Sequence, residues 1–184
     1  MKPLYHHDLP SIEDYLHHRP PYLLISRIES IEDRSIRTST QITGHEGFCT
    51  GHFPGSPIVP GAIMQEMTTQ TAGILIAARF NPHPPGQFNT HDPFFNEYAL
   101  GVLIRVKGAR FRGFARPGDA LIISVELIEQ QSDMFEFHGR MTVDDRTIMS
   151  NQFQLANIPS QTLQGRNTGA TGSRETSAAL PAQA

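Results

Sequence analysis

The fold is decided by residues 51–80, in which a turn-forming motif is followed by an apolar helix. The motif reads Gly51-His-Phe-Pro-Gly-Ser-Pro-Ile-Val-Pro-Gly61, and the next residues read Ala62-Ile-Met-Gln-Glu-Met-Thr-Thr-Gln-Thr-Ala-Gly-Ile-Leu-Ile-Ala-Ala-Arg-Phe80. Three prolines and three glycines within eleven residues fix the backbone of the motif in turns. Apolar side chains then recur at helical spacing, as at Ile63, Met67 and Ile74, which predicts a long buried helix. Pro60 stands just ahead of it, where a missing backbone donor costs a helix nothing.

Two polar side chains interrupt this stretch. His52 lies in the turn, and Glu66 lies inside the apolar helix, fourteen positions later. A carboxylate on an apolar helix lies either at a solvated edge or in a cleft that uses it. A single histidine or glutamate is most often a surface residue. The pair, at a fixed spacing across a rigid turn, predicts a functional site.

The motif resembles the signature of the beta-hydroxyacyl-acyl-carrier-protein dehydratases of the FabZ/FabA type, which reads Gly-His-Phe-Pro-Gly-x-Pro-x-x-Pro-Gly before an apolar helix. That family carries an acidic residue at the position of Glu66, usually Glu in the FabZ branch and Asp in the FabA branch. Residues 18–28 resemble the family segment His-Arg-x-Pro-Phe-Leu-Leu-x-Asp-Arg, with Ser26 in place of the usual Asp. Residues 109–111 and 116–119 resemble its Ala-Arg-Phe and x-Pro-Gly-Asp segments. The resemblance covers roughly residues 15–155.

This resemblance implies the hotdog fold, an α+β fold in which an antiparallel β-sheet wraps around a long central helix. It also implies a homodimer or hexamer whose sites form between subunits. His52 would be the base, and Glu66 of the other subunit would orient or protonate the β-hydroxyl group. The Gly61 N–H would polarise the thioester carbonyl, and we expect Phe53 and Pro60 to contact the substrate. The acyl group would arrive on the phosphopantetheine arm of an acyl carrier protein, with no metal and no other cofactor.

The implied reaction is dehydration of a beta-hydroxyacyl thioester to the trans-2-enoyl thioester, in fatty-acid or related polyketide and polyene biosynthesis. Ser56, where the FabZ branch commonly has His, and the run Met67-Thr-Thr-Gln70 leave the acyl chain open. Two alternatives remain, a hotdog acyl thioesterase and a non-catalytic module that binds carrier proteins. The His-Phe-Pro-Gly turn argues against the first, and the presence of both His52 and Glu66 argues against the second. A combined dehydratase and isomerase is less favoured because Glu66 is not Asp.

The rest of the chain predicts β-structure and a polar tail. Residues 28–43 alternate polar and apolar side chains, which is typical of a strand. Five further strands are predicted, at 100–106, 109–114, 119–130, 135–143 and 147–155. A loop rich in Pro and Gly at 81–93 follows the helix. The composition becomes polar at about residue 157, which predicts a hotdog domain over 1–157 and a disordered tail over 158–184.

Charge is distributed unevenly along the chain. The net charge of −3 argues against a general nucleic-acid binder. Between residues 105 and 116, however, no acidic residue accompanies the basic ones, which are Arg105, Lys107, Arg110, Arg112 and Arg116. This basic ridge suits an acidic partner surface such as that of a carrier protein. Charges that protect a strand edge from aggregation explain any single one of these residues equally well.

The remaining candidates give weaker predictions. Cys49, the single cysteine, fits a reducing cytoplasm, and we interpret it as a small buried residue rather than a nucleophile. The histidine pairs at 6–7 and 17–18 match no familiar metal-ligand spacing. The first eight residues lack the apolar core of a signal peptide, and polar residues interrupt every apolar run before it reaches membrane-spanning length. We therefore expect a cytoplasmic protein without a membrane segment.

Overall fold

A long buried helix lies at the centre of the structure. The computed structural model describes residues 3–92 and 96–163. The helices of the described residues are α1 (Ile12–Tyr15), α2 (Gly47–Thr50) and α3 (Gly61–Arg79). Helix α3 confirms the predicted helix, and the side chains of its second half have almost no exposed surface. Pro60 precedes its first residue, and the Pro60 carbonyl accepts hydrogen bonds from the N–H groups of Ile63 at 3.0 Å and Met64 at 3.1 Å.

A six-stranded antiparallel sheet packs around this helix. Its strands are β1 (Arg27–Ile31), β2 (Ser35–Gln41), β3 (Tyr98–Phe111), β4 (Ala120–Gln131), β5 (Met134–Val143) and β6 (Arg146–Pro159). Their spatial order is β1-β2-β4-β5-β6-β3, so β1 and β3 form the two edges. All neighbouring strands are antiparallel. The predicted architecture, an antiparallel sheet around a central helix, is confirmed.

Alternation along the strands gives the sheet a core face and an outer face. On β6, the buried Phe153 and Leu155 alternate with the half-buried Gln152 and Gln154. Phe153 continues into a row of aromatic rings under the helix, with its ring centroid 5.8 Å from that of Phe137. Burial of each such ring stabilises the fold by about 2–3 kcal/mol. The core face therefore holds α3, and the outer face carries the polar side chains.

Two glycines allow α3 to approach the edge strand β3 closely. A Cβ atom on Gly101 would lie 3.2 Å from the Cα of Gly73, in the middle of α3. Gly101 also has a φ of +70°, a conformation that glycine adopts without strain. On another side of the helix, Leu16 packs over Gly73, where an added Cβ would lie 3.2 Å from its Cδ2. Gly73 thus serves close packing in the middle of α3.

The loop after α3 is tied to the N-terminal part of the chain. Its central contact is Thr90, whose hydroxyl donates a hydrogen bond to the Glu13 carbonyl. The Thr90 carbonyl lies 3.1 Å from His17 Nδ1 and accepts a hydrogen bond from Arg19 Nη2 at 3.3 Å. The ring of Phe88 lies about 6 Å from three imidazole rings, those of His7, His17 and His83. The loop therefore holds the side chains of His17 and Arg19, which flank His18 in the chain.

Three element boundaries differ from the predicted ones. The single strand predicted over 28–43 is a hairpin of β1 and β2, because the Glu32 N–H donates to the Ser35 carbonyl and closes a turn. The strands predicted at 100–106 and 109–114 form one strand, β3, in which register shifts absorb the irregular residues. Strand β6 continues to Pro159 and is followed by a short 3-10 turn that buries Ser160.

The sequence also predicted a domain boundary at residue 157 and the absence of a membrane-spanning segment. Because β6 and the 3-10 turn extend past residue 157, regular structure continues beyond the predicted domain boundary. Residues 164–184, most of the predicted disordered tail, lie outside the described residues. Within the described ranges, the helices are too short or too polar for any of them to cross a bilayer.

Candidate functional site

His52 is held by the backbone of its own motif. Its Nδ1 lies 3.2 Å from the carbonyl oxygen of Ile58, which fixes the ring within the turn. Phe53 follows with a φ of 56°, a left-handed conformation that costs a non-glycine residue about 1 kcal/mol or more. Its ring centroid lies 4.4 Å from that of His52, and 59% of the residue is exposed. Residues 51–61, hereafter the His52 turn, therefore present the imidazole and an aromatic ring at the surface of the chain.

An apolar groove of about 700 Å³ lies beside the His52 turn. Its lining includes Phe53, Pro57 and Ile58 from the turn, and Phe114 and Arg116 from the segment that follows β3. The Arg116 guanidinium lies 5.1 Å from the centroid of the Phe114 ring, a cation–π contact. An apolar wall with one cation suits an elongated apolar ligand that carries an anionic group.

Gly61 begins α3 next to this turn. A side chain there would collide with the end of β3, because a Cβ would lie 3.1 Å from Phe111 Cε1. Within residues 3–92 and 96–163, no backbone carbonyl accepts a hydrogen bond from the Gly61 N–H. The first amides of a helix lack intrahelical acceptors, and the helix dipole makes this end positive. The Gly61 N–H is therefore available to a carbonyl oxygen of a ligand.

Glu66 is surrounded by three polar side chains, His18, Tyr22 and Gln70, hereafter the Glu66 clamp. Gln70 Nε2 donates to Glu66 Oε1 at 3.1 Å and to the Tyr22 carbonyl at 2.8 Å. The Tyr22 side chain lies near the Glu66 carboxyl group, and each of the two groups affects the pKa of the other. His18 Nε2 lies 3.8 Å from Glu66 Oε1. Gln70 is itself 1% exposed, and its Oε1 accepts a hydrogen bond from the Leu24 N–H at 2.9 Å.

Burial changes the protonation equilibria in the clamp. It raises the pKa of the Glu66 carboxyl above its ordinary value, and the neighbouring Gln70 and Tyr22 side chains partly offset this rise. Burial likewise lowers the pKa of His18, and the nearby His17 and Arg19 lower it further. His18 is therefore neutral at pH 7, and its contact with Glu66 is not an ion pair. The carboxyl group keeps a larger protonated fraction than an exposed glutamate at the same pH.

His52 and Glu66 have separate hydrogen-bonding partners within one chain. Over the described ranges of the chain, no hydrogen bond or ion pair joins His52 to Glu66. Sequence reasoning predicted both residues as a functional pair but did not predict the clamp around Glu66. One signal was present in the sequence, since Tyr22 stands where the family segment has Phe.

The surroundings of Cys49 and of the possible metal-ligating side chains differ from those of His52 and Glu66. Cys49 has no exposed surface, which confirms that it is a small buried residue. Burial and the neighbouring Glu46 raise the pKa of its thiol, so the reactive thiolate is disfavoured. Among the described residues, no three His, Cys, Asp or Glu side chains are grouped so that they could hold a metal ion.

All five residues of the basic ridge are exposed on β3 and the turn that follows it. They differ in their contacts. Lys107 forms an ion pair with Glu136, whose carboxylate also accepts hydrogen bonds from Gln152 and Gln154. The Lys107 hydrogen bond is the main cause that lowers the pKa of Glu136. The charge of Lys107 is therefore compensated within the sheet, whereas Arg110 and Arg112 line an open groove on the outer face.

Arg110 belongs to a row of side chains that crosses five strands of the outer face. In register, the row is Arg37, Ser124, Arg140, Ser150 and Arg110. Its arginines are about 10 Å apart, because each neighbouring pair is separated by two strand spacings. Across the described parts of the chain, no carboxylate lies within ion-pair distance of any of the three. Sequence reasoning missed this arginine row because strand pairing, not chain order, aligns its members.

Comparison with protein families and curated proteins gives matches over most of the chain. The sequence profile of the FabA-like domain matches residues 16–152. The 3-hydroxyacyl-acyl-carrier-protein dehydratase FabZ of Coxiella burnetii (strain RSA 331 / Henzerling II) is 36% identical over 140 residues, which are 76% of this chain and 91% of that protein. The enzyme of the same name from Ralstonia nicotianae is 33% identical over 150 residues, which are 81% of this chain and 85% of that protein.

Solved structures share the fold at low sequence identity. The dehydratase heterocomplex ApeI:P from Xenorhabdus doucetiae matches with a TM-score of 0.67 and 17% identity, covering 85% of this chain and 97% of that chain. A hypothetical thioesterase with coenzyme A from Streptococcus pneumoniae matches with a TM-score of 0.52 and 13% identity, covering 72% of this chain and 85% of that chain. At these identities the likeness concerns the hotdog fold alone.

Proposed function

The chain belongs to the FabA-like family, and from this premise we propose that it dehydrates a 3-hydroxyacyl thioester on acyl carrier protein to the trans-2-enoyl thioester. The observation that carries the proposal is the span of the family match, residues 16–152, which includes both His52 and Glu66. The curated relatives named above are 3-hydroxyacyl-acyl-carrier-protein dehydratases. The enzyme class is therefore that of a hydro-lyase.

The His52 turn and the Glu66 clamp, the two halves of the proposed site, supply the base and the acid that this elimination needs. A neutral imidazole can remove a proton, so His52 takes the α-proton and the C–H electrons form the new double bond. The β-carbon–oxygen bond breaks, and the leaving hydroxide receives a proton and departs as water. Glu66 is suited to give that proton because burial raises the pKa of its carboxyl group. The Gly61 N–H would stabilise the charge that develops on the thioester carbonyl oxygen.

The groove beside the His52 turn suits the substrate arm. Phe53 lines this groove, and Pro60 precedes the amide of Gly61. We propose that both contact the thioester end of the substrate. Arg116, which also lines the groove, would then face the phosphate of the phosphopantetheine arm. Acid–base elimination of water requires only the two protein groups, so the proposed reaction uses no metal or redox cofactor.

The proposed enzyme is a homodimer, alone or as part of a hexamer, with sites shared between chains. Strand β3 is an edge strand, and its exposed apolar residues are Leu103, Ile104, Val106 and Phe111. Such an edge favours pairing with the same strand of a second copy. The Phe111 end of β3 packs against Gly61, so the His52 turn lies beside this edge. Pairing there would bring the His52 turn of one chain towards the Glu66 clamp of the other.

The proposed partner is an acyl carrier protein, which docks on the basic ridge. Arg105, Arg110, Arg112 and Arg116 leave cationic side chains exposed there, and the arginine row extends the basic surface across the sheet. Acidic surfaces of the carrier would be steered to it electrostatically. Lys107 contributes less because Glu136 already neutralises it. We place the enzyme in the cytoplasm, in fatty-acid or related polyketide and polyene biosynthesis.

Mass spectrometry of carrier-bound products tests the proposal. The purified chain is incubated with a 3-hydroxyacyl acyl carrier protein, and the product is analysed for water loss, thioester hydrolysis and double-bond position. Dehydration to the trans-2-enoyl product is expected. Hydrolysis without dehydration would instead identify a thioesterase, and binding without any turnover would identify a non-catalytic module. His52→Ala is the matched control for background elimination.

A further inference from the structure

The arginine row places three cations in a line across the outer face of the sheet. Its members alternate between arginine and serine, and Ser30 on β1, which pairs with Arg37, extends the alternation to all six strands. Arg37, Arg140 and Arg110 are all exposed. Within residues 3–92 and 96–163, no side-chain hydrogen bond or ion pair involves any arginine or serine of the row. Their donors are therefore available to a partner.

Roles within the fold do not account for these arginines. Charges that block aggregation belong on edge strands, but Arg37 and Arg140 lie on β2 and β5, which have hydrogen-bonded neighbours on both sides. Strands prefer β-branched and aromatic side chains to arginine. Three like charges on one face also repel one another, although salt screens most of the repulsion at about 10 Å. An external anionic surface, by contrast, would use every member of the row.

Two carboxylates border the row without joining it. Glu126 lines a groove with Arg37 and Arg140, but it lies in the neighbouring row of the sheet. Glu29, on β1, is already bonded to other side chains. Both would repel an acidic partner that lay beside the row, because like charges brought together at an interface are unfavourable. They therefore favour one alignment of such a partner, along the row.

The spacing of the arginines fits one kind of acidic partner. Two strand spacings, about 10 Å, separate neighbouring arginines. Side chains seven residues apart on an α-helix lie on the same face and about 10.5 Å apart along its axis. Carboxylates at positions i, i+7 and i+14 of a helix that crosses the strands would each meet one guanidinium, which can bind a carboxylate through two parallel hydrogen bonds. The hydroxyls of Ser124 and Ser150 would lie opposite the helix positions between them.

Single-stranded nucleic acid fits this surface less well. Proteins that bind it stack the bases on aromatic side chains. The row contains no Phe, Tyr or Trp, and neither does the row beside it, which is Ser35, Glu126, His138, Gln152 and Gly108. The net charge of −3 also disfavours a partner that is negative along its whole length.

We propose that the arginine row is a docking surface for an acidic helix of a protein partner, with carboxylates two turns apart aligned on Arg37, Arg140 and Arg110. This surface goes beyond the proposed function, because Arg37 and Arg140 lie outside the basic ridge and docking there requires no turnover. The row and the ridge share Arg110, at the edge of the sheet. A helix bound along the row therefore covers one residue of the ridge.

Two synthetic peptides of identical composition test the spacing on the wild-type protein. Both are stapled helices with three glutamates, placed seven residues apart in the matched peptide and five residues apart in the mismatched one. Only the matched glutamates share one face of the helix. Fluorescence anisotropy at low salt should show about tenfold tighter binding of the matched peptide. Equal affinities would overturn the proposal, and so would tighter binding of a single-stranded RNA of the same length.

A pair of double variants locates the peptide on the row. Arg37→Gln with Arg140→Gln should lower the affinity for the matched peptide about fivefold. Arg27→Gln with Arg146→Gln is the matched control, because it removes the same charge elsewhere and Arg27 already pairs with Glu29. Equal losses in the two double variants would mean non-specific attraction and would refute docking on the row.

A charge exchange at the centre of the row tests the alignment. Arg140→Glu should weaken binding of the matched peptide, and replacing the central glutamate of the peptide by lysine should restore it. The lysine peptide should bind the wild-type protein less tightly than the matched peptide does. If the lysine peptide fails to recover affinity for an Arg140→Glu variant that melts like wild type, the proposed alignment is wrong.

Discussion

The His52 turn and the Glu66 clamp hold their functional side chains in opposite ways. The His52 ring is held by a polar contact with the carbonyl of Ile58 in its own motif, and it packs beside the exposed Phe53. Glu66 contacts three side chains that come from two separate parts of the chain. The chain therefore completes the surroundings of the carboxyl group by itself and leaves those of the imidazole open. This difference is expected if a second copy closes the site over the His52 turn.

The largest expected effect comes from a substitution in the His52 turn, the half of the site whose surroundings the chain leaves open. His52→Ala should reduce dehydration by about 10²–10⁴-fold, because the variant lacks the group that removes the α-proton. Its melting temperature should stay within a few degrees of wild type, since the side chain makes a single hydrogen bond. Steady-state kinetics and thermal unfolding measure the two quantities. Substantial turnover in a pure, folded variant would remove His52 from its proposed role.

Recombining the halves from two chains tests whether they meet between subunits. Each pure variant, His52→Ala or Glu66→Gln, should be nearly inactive. A mixture that is unfolded, refolded and allowed to dimerise at random should regain about one quarter of the wild-type sites, because one of the two sites in each heterodimer carries both native groups. Activity after mixing and the fraction of hetero-oligomers by native mass spectrometry are the measurements. Abundant hetero-oligomers without recovered activity would contradict the shared site.

A substitution in the Glu66 clamp should lower the stability of the fold, whereas the substitution of His52 in the turn should not. Gln70→Leu removes the acceptor for the Leu24 N–H and the donor to the Tyr22 carbonyl and Glu66. Because these groups are largely buried, the free energy of unfolding should fall by about 2–4 kcal/mol. Gln41→Leu is the matched control, since Gln41 makes one exposed hydrogen bond, to the Gly118 carbonyl. Equal, small losses in both variants, measured by urea unfolding, would show that the clamp is not preorganised.

The smallest expected effect lies outside both halves, on the basic ridge. Arg110→Glu with Arg112→Glu should raise the KM for carrier-borne substrate several-fold and weaken its salt dependence, because rim charges mainly speed encounter. Turnover of a pantetheine-linked surrogate should change little. Arg27→Glu with Arg146→Glu makes the same charge change elsewhere on the surface. Equal losses on both substrates would mean that the two arginines support the fold or the groove instead of docking.

The parts of the fold set by local pattern were predictable from the sequence, and the parts set by pairing were not. The helical spacing of Ile63, Met67 and Ile74 predicted α3, because the apolar side chains of a buried helix recur in the sequence with the helical period. The hairpin of β1 and β2 was missed, since its turn at Glu32 lacks the glycine or proline that usually marks one.

The same distinction applies to the site. His52 and Glu66 could be predicted as a pair because one rigid motif and one helix separate them by a fixed number of residues. Gln70, the centre of the clamp, was seen only as a member of the helix, since its partners at Tyr22 and Leu24 lie more than forty residues away. Long-range contacts of this kind depend on packing that no local period records. The arginine row escaped notice for the same reason.

The anchoring of the 81–92 loop has a consequence for how this enzyme could be redesigned. Thr90 contacts Glu13, His17 and Arg19. His18, which lies between His17 and Arg19 in the chain, contacts Glu66. The loop is thus a mechanical support for the acid half of the site, although it contributes no group to the chemistry. A loop taken from another protein would have to replace the Thr90 contacts to leave the surroundings of Glu66 unchanged. An exchanged loop must therefore be joined to the rest of the structure in two ways, through the chain itself and through the contacts of Thr90.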